Sequence, residues 1–181
     1  VVMPSNAEDA VGLLRSALRG NDPTIFFEHR ALLDATWARR PYPGDGYMLP
    51  LGKGRLLSTG DDLTIVTWGA MVERCETAIE QVDASVDLID LRTMMPWDKE
   101  AVLASVRKTS KVLIVHEDIG PLGFGAEVAA TIAQEAFMDL DGPVERLATP
   151  AVPVPFNVGL MHAVVPTIEA IRERAEGLLA F

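Results

Sequence analysis

The feature that most constrains the fold of this sequence is a regular alternation, from residue 63 onwards, between runs of strand length and helical stripes. Residues 63–68, 86–91 and 111–116 are apolar almost throughout, which is typical of strands covered on both faces. Residues 144–148 predict a fourth strand. Helical spacing of apolar residues predicts helices between and after these strands, at residues 71–82, 99–107, 125–137 and 167–179. The alternation predicts an α/β fold with a mostly parallel sheet and helices on both faces.

Within this alternation, residues 88–98 carry the most specific pattern. They predict a buried strand that stops, a turn at Pro96 and a helix that Asp98 caps. Further on, Pro150, Pro153 and Pro155 predict a stiff connection ahead of the last helix. No internal repeat interrupts this order of elements.

The first fifty residues are organised differently. Ser5 and Glu8 have the spacing of a capping box, and Gly20 is placed to end the helix in a left-handed conformation. Residues 24–28 predict a short strand. Residues 29–50 lack periodicity and contain both tyrosines and Trp37, so they predict a linker that aromatic side chains fix to a surface. The helix would turn four apolar residues to one inward face, namely Ala7, Val11, Leu14 and Leu18.

Composition narrows the classes of partner and compartment. The net charge of −10 argues against nucleic acid or an anionic membrane and is compatible with a basic partner. Cys75 is the only cysteine, which excludes an intramolecular disulfide and predicts a reducing compartment. No apolar run reaches the roughly 18 residues of a membrane span. Residues 1–4 suggest a strand entered in mid-course, and hence a chain that begins further upstream.

Two segments could carry chemistry. Residues 120–127 form a glycine-rich loop before a helix, but the spacing is not that of a dinucleotide loop and Glu127 would repel a phosphate. A tight turn is therefore favoured. His116, Glu117 and Asp118 end a strand at the edge where open α/β sheets bind ligands. Because neighbouring side chains on a strand diverge, a structural or subunit-contact role is favoured for them.

The remaining candidates have simpler explanations. Cys75 lies on the inward stripe of a helix, which favours a small buried hydrophobe over a nucleophile. His29 and His162 are isolated in the sequence, and Ser5 is explained as a helix cap. The residues alone therefore indicate no active site.

Eight short strings nevertheless occur in a specific order along the whole chain. They lie at residues 1–5, 12–14, 21–28, 49–53, 90–93, 115–117, 123–127 and 153–156. Together they resemble the C-terminal portion of the β subunit of the thiamine-diphosphate-dependent decarboxylase, the first component of 2-oxoacid dehydrogenase complexes of the pyruvate and branched-chain types. The resemblance implies that residues 1–50 are the tail of a pyrimidine-binding α/β domain plus a linker. It also implies that residues 51–181 are a transketolase-like C-terminal domain.

The resemblance implies an oxidoreductase that acts as a heterotetramer in the cytoplasm, or in the mitochondrial matrix of a eukaryote. Thiamine diphosphate and Mg²⁺ would be its cofactors, held by residues upstream of this sequence and by the α subunit. A second β subunit and the peripheral-subunit-binding domain of the lipoyl acyltransferase would be further partners. This part of the subunit would hold no catalytic residue and would serve assembly and docking.

Three sets of residues follow from the resemblance. A potassium ion would lie at the end of the first helix, bound largely by backbone carbonyls, with a plain helix end as the alternative. Phe181 would receive the basic peripheral-subunit-binding domain. His116 and Glu117 would lie at a subunit interface. The positions that match the family's potassium ligands are Ala17, Leu18, Gly20 and Asp22.

Two alternatives stay open at this point. One is the β subunit of another transketolase-like enzyme, such as acetoin dehydrogenase or a sugar-phosphate transketolase, although the acidic sequence shows no evident cationic cluster for a substrate phosphate. The other is a stand-alone, flavodoxin-like module that binds a small ligand at the loop of residues 116–125.

Overall fold

A five-stranded sheet forms the centre of the molecule in the computed structural model, which describes residues 1–181. The strands are β1 (Arg55–Ser58), β2 (Leu63–Thr67), β3 (Val86–Asp90), β4 (Val112–Ile119) and β5 (Val144–Thr149). The helices are α1 (Ala7–Arg19), α2 (Arg30–Asp34), α3 (Met71–Ile79), α4 (Lys99–Thr109), α5 (Phe124–Glu135), α6 (Val158–Val164) and α7 (Ile168–Leu179). A 3₁₀ turn at Phe137–Asp139 follows α5.

The strand order is β1-β3-β2-β4-β5. Strands β3, β2, β4 and β5 pair in parallel, and β1 pairs antiparallel with β3 at one edge. The chain passes from β2 to β3 on one side and then returns to place β4 on the other side of β2. The direction of winding therefore changes between β2 and β4. The predicted α/β class and mostly parallel sheet are confirmed.

Each face of the sheet carries its own apolar core. Val66, Ile89 and Ile114 face α4 and α5 on one side. Leu63, Ile65 and Leu113 face α3 and α7 on the other side. Strands β2 and β3 are buried along their whole length, as expected for parallel strands covered on both faces. Their polar residues are buried as well, namely Thr64, Thr67, Asp87 and Asp90. No helix is long and apolar enough to cross a membrane.

The first residues form a small parallel unit beside this sheet. Val2 bridges in parallel to Phe26, with α1 between them in the chain, and bridges antiparallel to Thr93. The strand predicted at residues 24–28 is thus reduced to a single bridge. The side chains of Val1 and Met3 pack against the core that α4 and α5 cover. The opening segment is therefore joined to the larger sheet by backbone pairing and by apolar contact.

Three details predicted for α1 are wrong. Asn6, not Ser5, caps the helix by accepting from the N–H of Asp9 at 3.0 Å, and the Ser5 hydroxyl donates to Asp90. Gly20 has φ −75°, so the helix does not end in a left-handed residue. The predicted inward stripe also fails, since Leu14 and Leu18 are exposed and the buried residues of α1 are Asp9, Gly12 and Leu13.

Residues 29–50 cross the surface much as the linker prediction described, with the short α2 inside the segment. Arg15 of α1 donates to the carbonyls of Gly44 and Tyr47 and to the hydroxyl of Tyr42. Trp37 donates its indole N–H to Glu76 of α3 at 2.9 Å. The aromatic residues therefore take part in fixing the segment, through hydrogen bonds as well as packing. Nothing in the sequence pattern predicted α2, β1 or α6.

Candidate functional site

The most specific sequence motifs meet in one buried polar network between the opening segment and the sheet. Ser5 donates its hydroxyl to Oδ2 of Asp90 at 2.6 Å, and Asp90 accepts the N–H of Arg92 at 3.0 Å through its other oxygen. Arg92 in turn donates to Oδ1 of Asp9 at 3.2 Å. Asn6 donates to the second oxygen of Asp9 at 2.9 Å. All five side chains are buried, so the network joins α1 to the end of β3 away from water.

Arg92 is the centre of this network. Its guanidinium also donates to the carbonyls of Lys53 and Gly54, at distances of 2.9–3.2 Å. Its backbone has φ +58°, a left-handed conformation that is unfavourable for a residue with a side chain. Next to it, Thr93 accepts the N–H of Gly52 at 3.1 Å. Residues 49–53 and 90–93, which hold two of the family strings, therefore contact each other through buried structural hydrogen bonds.

Burial raises the pKa of Asp90 to about 7, against the opposing effect of the Ser5 hydroxyl, and the nearby charge of Asp9 raises it further. A carboxyl group with this pKa could act in acid–base chemistry. However, Asp90 is fully buried and lines none of the principal cavities. The raised pKa therefore belongs to a structural group and does not identify a catalytic one.

His116 and Glu117 point in opposite directions, as their adjacent positions on β4 predicted. The ring of His116 stacks on Trp68 with centroids 5.3 Å apart and has no exposed surface. Neither ring nitrogen of His116 has a hydrogen-bond partner, and burial lowers its pKa. The Cα of Gly125 lies against the same ring, so that a side chain there would overlap it. Of the two predicted interface residues, only Glu117 reaches the surface.

Glu117 pairs with His29, a partner that the sequence reasoning missed. Oε2 of Glu117 lies 2.6 Å from Nε2 of His29, which stands just before α2. The hydrogen bond to Glu117 raises the pKa of His29, and the same bond lowers the pKa of Glu117. The pair therefore links the segment before α2 to the end of β4. Because the two residues are 88 positions apart, no local pattern could have revealed it.

The other sequence candidates do not form sites. Gly123 precedes the first residue of α5 and Gly125 packs under His116, which agrees with the tight-turn interpretation of this loop. Cys75 is fully buried, and burial raises the pKa of its thiol to about 12, so it is not a nucleophile. His162 is exposed. No group of three or more His, Cys, Asp or Glu side chains could hold a metal ion.

The positions matched to potassium ligands lie together at the end of α1. The carbonyl of Ala17 accepts the N–H of Gly20 at 3.2 Å, whereas no N–H donates to the carbonyls of Leu18 or Gly20. Leu18, Gly20 and Asp22 are exposed. The available oxygens are therefore of the kind that potassium takes, and they face solvent. Phe181, the predicted docking residue, is also exposed and has its Cβ over Gly142.

Comparison with known proteins agrees with the motifs. Residues 52–171 match the family described as the C-terminal domain of transketolase. Subunit beta of 2-oxoisovalerate dehydrogenase from Bacillus subtilis is 42% identical over 84% of this chain and 47% of the relative. Subunit beta of the pyruvate dehydrogenase E1 component from Staphylococcus epidermidis is 36% identical over 100% of this chain and 56% of the relative. The chain spans about half the length of these curated relatives.

Solved structures show the same fold. A split-gene transketolase, described as an inactive β4 tetramer, has a TM-score of 0.77 at 20% identity and covers 99% of this chain and 56% of that one. A transketolase from Pichia stipitis has a TM-score of 0.63 at 14% identity and covers 99% of this chain and 25% of that one. The chain therefore belongs to the transketolase C-terminal domain family, and along nearly all its length it is similar to β subunits of 2-oxoacid dehydrogenases.

Proposed function

We propose that this chain serves as the assembly part of a 2-oxoacid dehydrogenase β subunit, and that it contributes no catalytic group of its own. The observation that carries the proposal is the network around Arg92, in which the most specific family strings form buried structural contacts. Residues 1–50 would belong to the pyrimidine-binding domain and its linker, and residues 51–181 to the transketolase-like domain. The Arg92 network would then fix one domain to the other.

In the intact enzyme, thiamine diphosphate would supply the electron sink for decarboxylation of a 2-oxo acid, and a lipoyl-lysine would receive the acyl group. The residues of this chain do not fit the diphosphate and Mg²⁺ of that cofactor, because no cluster of carboxylate or histidine ligands is present. The ligands would come from elsewhere in the assembly. The compartment would be the cytoplasm, or the mitochondrial matrix of a eukaryote.

Exposed apolar residues on α1 support a role in subunit contact. Leu14 is 44% and Leu18 is 77% exposed, and Ala7 is exposed on the same helix. Phe27, beside the bridge of Val2 and Phe26, is 52% exposed. A contiguous apolar patch on a folded protein marks an interaction site more often than chance. We assign this face to contact with the α subunit or with a second β subunit.

A second contact would lie at the carboxyl terminus. Phe181 has an exposed aromatic ring, and the chain has a net charge of −10. A basic peripheral-subunit-binding domain of the lipoyl acyltransferase would complement both features. Phe181→Ala should weaken that binding by removing the aromatic contact, whereas unchanged affinity would contradict the assignment.

A potassium ion at the end of α1 is the third part of the proposal. The open carbonyls of Leu18 and Gly20 and the exposed carboxylate of Asp22 support it. Crystals soaked in thallium should show an anomalous peak beside these oxygens. A map without such a peak would leave the helix end as a plain terminus.

The assembly role can be tested by mixing the chain with the α subunit and measuring the mass of the product by light scattering. A complex should form, and the variant Leu14→Asp/Leu18→Asp should reduce its affinity by at least about tenfold because two charges would be desolvated. Leu160→Asp, on the exposed side of α6, is the matched control and should leave assembly unchanged. A chain that stays alone, or a double variant that assembles normally, would contradict the assignment.

A further inference from the structure

A large cavity, which no residue of α1 lines, opens at the carboxyl edge of the parallel sheet. Its volume is about 650 Å³, and its wall includes Ala70 after β2, Glu117 and Asp118 of β4, and Thr149 at the end of β5. It therefore lies at the point where the winding direction changes between β2 and β4. Open α/β sheets bind ligands in such crevices, and small-molecule sites have volumes of roughly 300–1,000 Å³.

Arg74 supplies this cavity with a cation that forms no direct ion pair, although its charge contributes to the lowered pKa of Glu117. It is partly buried at the start of α3 and forms no ion pair with any carboxylate of the chain. One of its N–H groups donates to the carbonyl of Pro166 at 2.6 Å, which fixes the guanidinium in place. The guanidinium has five N–H donors in a planar fork that matches a carboxylate. Most of that fork is unused.

Two buried polar atoms in the same wall also lack partners. Thr149 is only 7% exposed, and its Oγ1 has no hydrogen-bond partner. Nδ1 of His29 is buried without a partner, while Nε2 of the same ring binds Glu117. Leaving a buried polar atom unpaired is unfavourable, so natural structures contain few of them. Both residues line the cavity, where a ligand could satisfy them.

The other residues that line the cavity indicate which kind of anion could bind there. Over half of the lining is aliphatic, including Leu32, Met161, Val164 and Val165. Glu73, Glu117 and Asp118 also line the cavity, and only the charge of Glu117 is offset by a direct partner. These carboxylates repel a phosphate with two negative charges more strongly than a monoanion. A monoanion could therefore bind the Arg74 fork and keep its tail on the aliphatic side.

We propose that this cavity binds a small monocarboxylate with an aliphatic tail, held by the fork of Arg74 and the hydroxyl of Thr149. The site is independent of the assembly role, because it uses neither the exposed face of α1 nor Phe181. It would bind its ligand without chemistry, since no nucleophile or metal site adjoins Arg74.

The test is calorimetric titration of the whole chain with isovalerate, which lacks the oxo group that decarboxylation requires. Binding should be measurable at millimolar concentration. Arg74→Gln should weaken it by about tenfold or more, and Thr149→Val should weaken it by about threefold to tenfold, as expected for a charged and a neutral hydrogen bond. Arg172→Gln, which removes an exposed pair with Glu176, is the control and should leave binding unchanged.

Isoamylamine, which has the same tail and the opposite charge, distinguishes the contribution of the carboxylate. The proposal predicts that the amine binds at least about tenfold more weakly than isovalerate. It is overturned if isovalerate does not bind, if the amine binds equally well, or if Arg74→Gln binds as the unchanged protein does. Thermal unfolding of each variant in the absence of ligand verifies folding, and Arg74→Lys provides a folded cationic variant if Arg74→Gln is unstable.

Discussion

The hydroxyl of Ser5 donates to Oδ2 of Asp90 at 2.6 Å, across a separation of 85 residues in the chain. This bond joins the segment just before α1 to the last residue of β3. The oxygen of Ser5 accepts from the side-chain amide of Asn6 at 3.2 Å, and the N–H of Asp9 is bound by Asn6, so Ser5 does not cap the helix. The carboxylate of Asp90 also accepts the N–H of Arg92, so one buried acidic group holds three parts of the structure.

Replacing Asp90 with Asn should change the pH dependence of stability. In the native protein, the pKa of Asp90 is raised to about 7 from its ordinary value of 3.8, which applies to the unfolded chain. At a pH between these two values, the native state therefore binds more protons than the unfolded state. Stability contributed by this group is therefore lost as the pH rises through that window, by up to roughly 4 kcal/mol. Asn can accept from Arg92 and donate to Ser5 without titrating.

The measurement is urea unfolding of both proteins at about pH 4.5 and pH 8. Relative to the unchanged protein, Asp90→Asn should be more stable at the higher pH than at the lower one. The contrary result is that the two proteins differ in unfolding free energy by the same amount at both pH values. That result would show that the Asp90 carboxyl does not hold an extra proton in the native state.

Removing the charge of Arg92 should lower the free energy of unfolding more than replacing its guanidinium with the amine of lysine. Arg92→Met would leave the fully buried carboxylate of Asp9 facing Arg55 alone, at 3.8 Å, and should destabilise the protein by about 3–5 kcal/mol. Arg92→Lys keeps the charge and loses the fork to Lys53 and Gly54, so it should cost less. Denaturant unfolding ranks the two variants, and equal losses would contradict the importance of the charge.

The pair of His29 and Glu117 should stabilise the fold most between about pH 4.5 and 6.5. The pKa of His29 is raised from 6.5, so its contribution is complete below that value and is lost as the pH rises through the raised pKa. The pKa of Glu117 is lowered from 4.5, so its contribution is present above that value and is lost as the pH falls through the lowered pKa.

A double-mutant cycle with His29→Gln and Glu117→Gln measures this coupling. Because both side chains are partly exposed, we expect a modest energy of about 1 kcal/mol near pH 5.5, falling towards zero at pH 9. A coupling energy that increases at alkaline pH would contradict the ionic nature of the pair.

Gly125→Ala should destabilise the protein through His116. The added Cβ would overlap the His116 ring, which is itself stacked on Trp68 and fully buried. Displacing a packed ring should cost about 1–3 kcal/mol. Gly177→Ala, in α7 where no atom lies within contact of the added Cβ, is the matched control and should be neutral or slightly stabilising. Thermal unfolding of both proteins is sufficient, and equal melting temperatures would contradict the packing argument.

The fold could be predicted largely from the sequence, because buried parallel strands and amphipathic helices leave periodic patterns that are local. Asp98 capping α4 is an example, since its Oδ1 accepts from Ala101 within the same turn. Features that depend on distant contacts could not be predicted. Ser5 looked like a cap because its partner Asp90 is remote in sequence. Leu14 and Leu18 looked like core residues because an apolar helical stripe has the same pattern whether or not this chain buries it.

The candidate sites illustrate the same limit. Glu117 was identified at the end of β4, yet His29 was dismissed as isolated because the fold, not the sequence, brings the two residues together. Arg74 and Thr149 were not singled out at all. The sequence does not show whether a cation or a hydroxyl has a partner, and only the three-dimensional structure does.

The most direct test of the central claim is the release of carbon dioxide from carboxyl-labelled 2-oxoisovalerate by the purified chain, with thiamine diphosphate and Mg²⁺ added. The account predicts release at the rate of the protein-free control, because the chain supplies neither cofactor ligands nor a catalytic group. Release above that control, and abolished by a substitution such as Asp90→Asn or His116→Ala, would contradict the claim that these residues are purely structural.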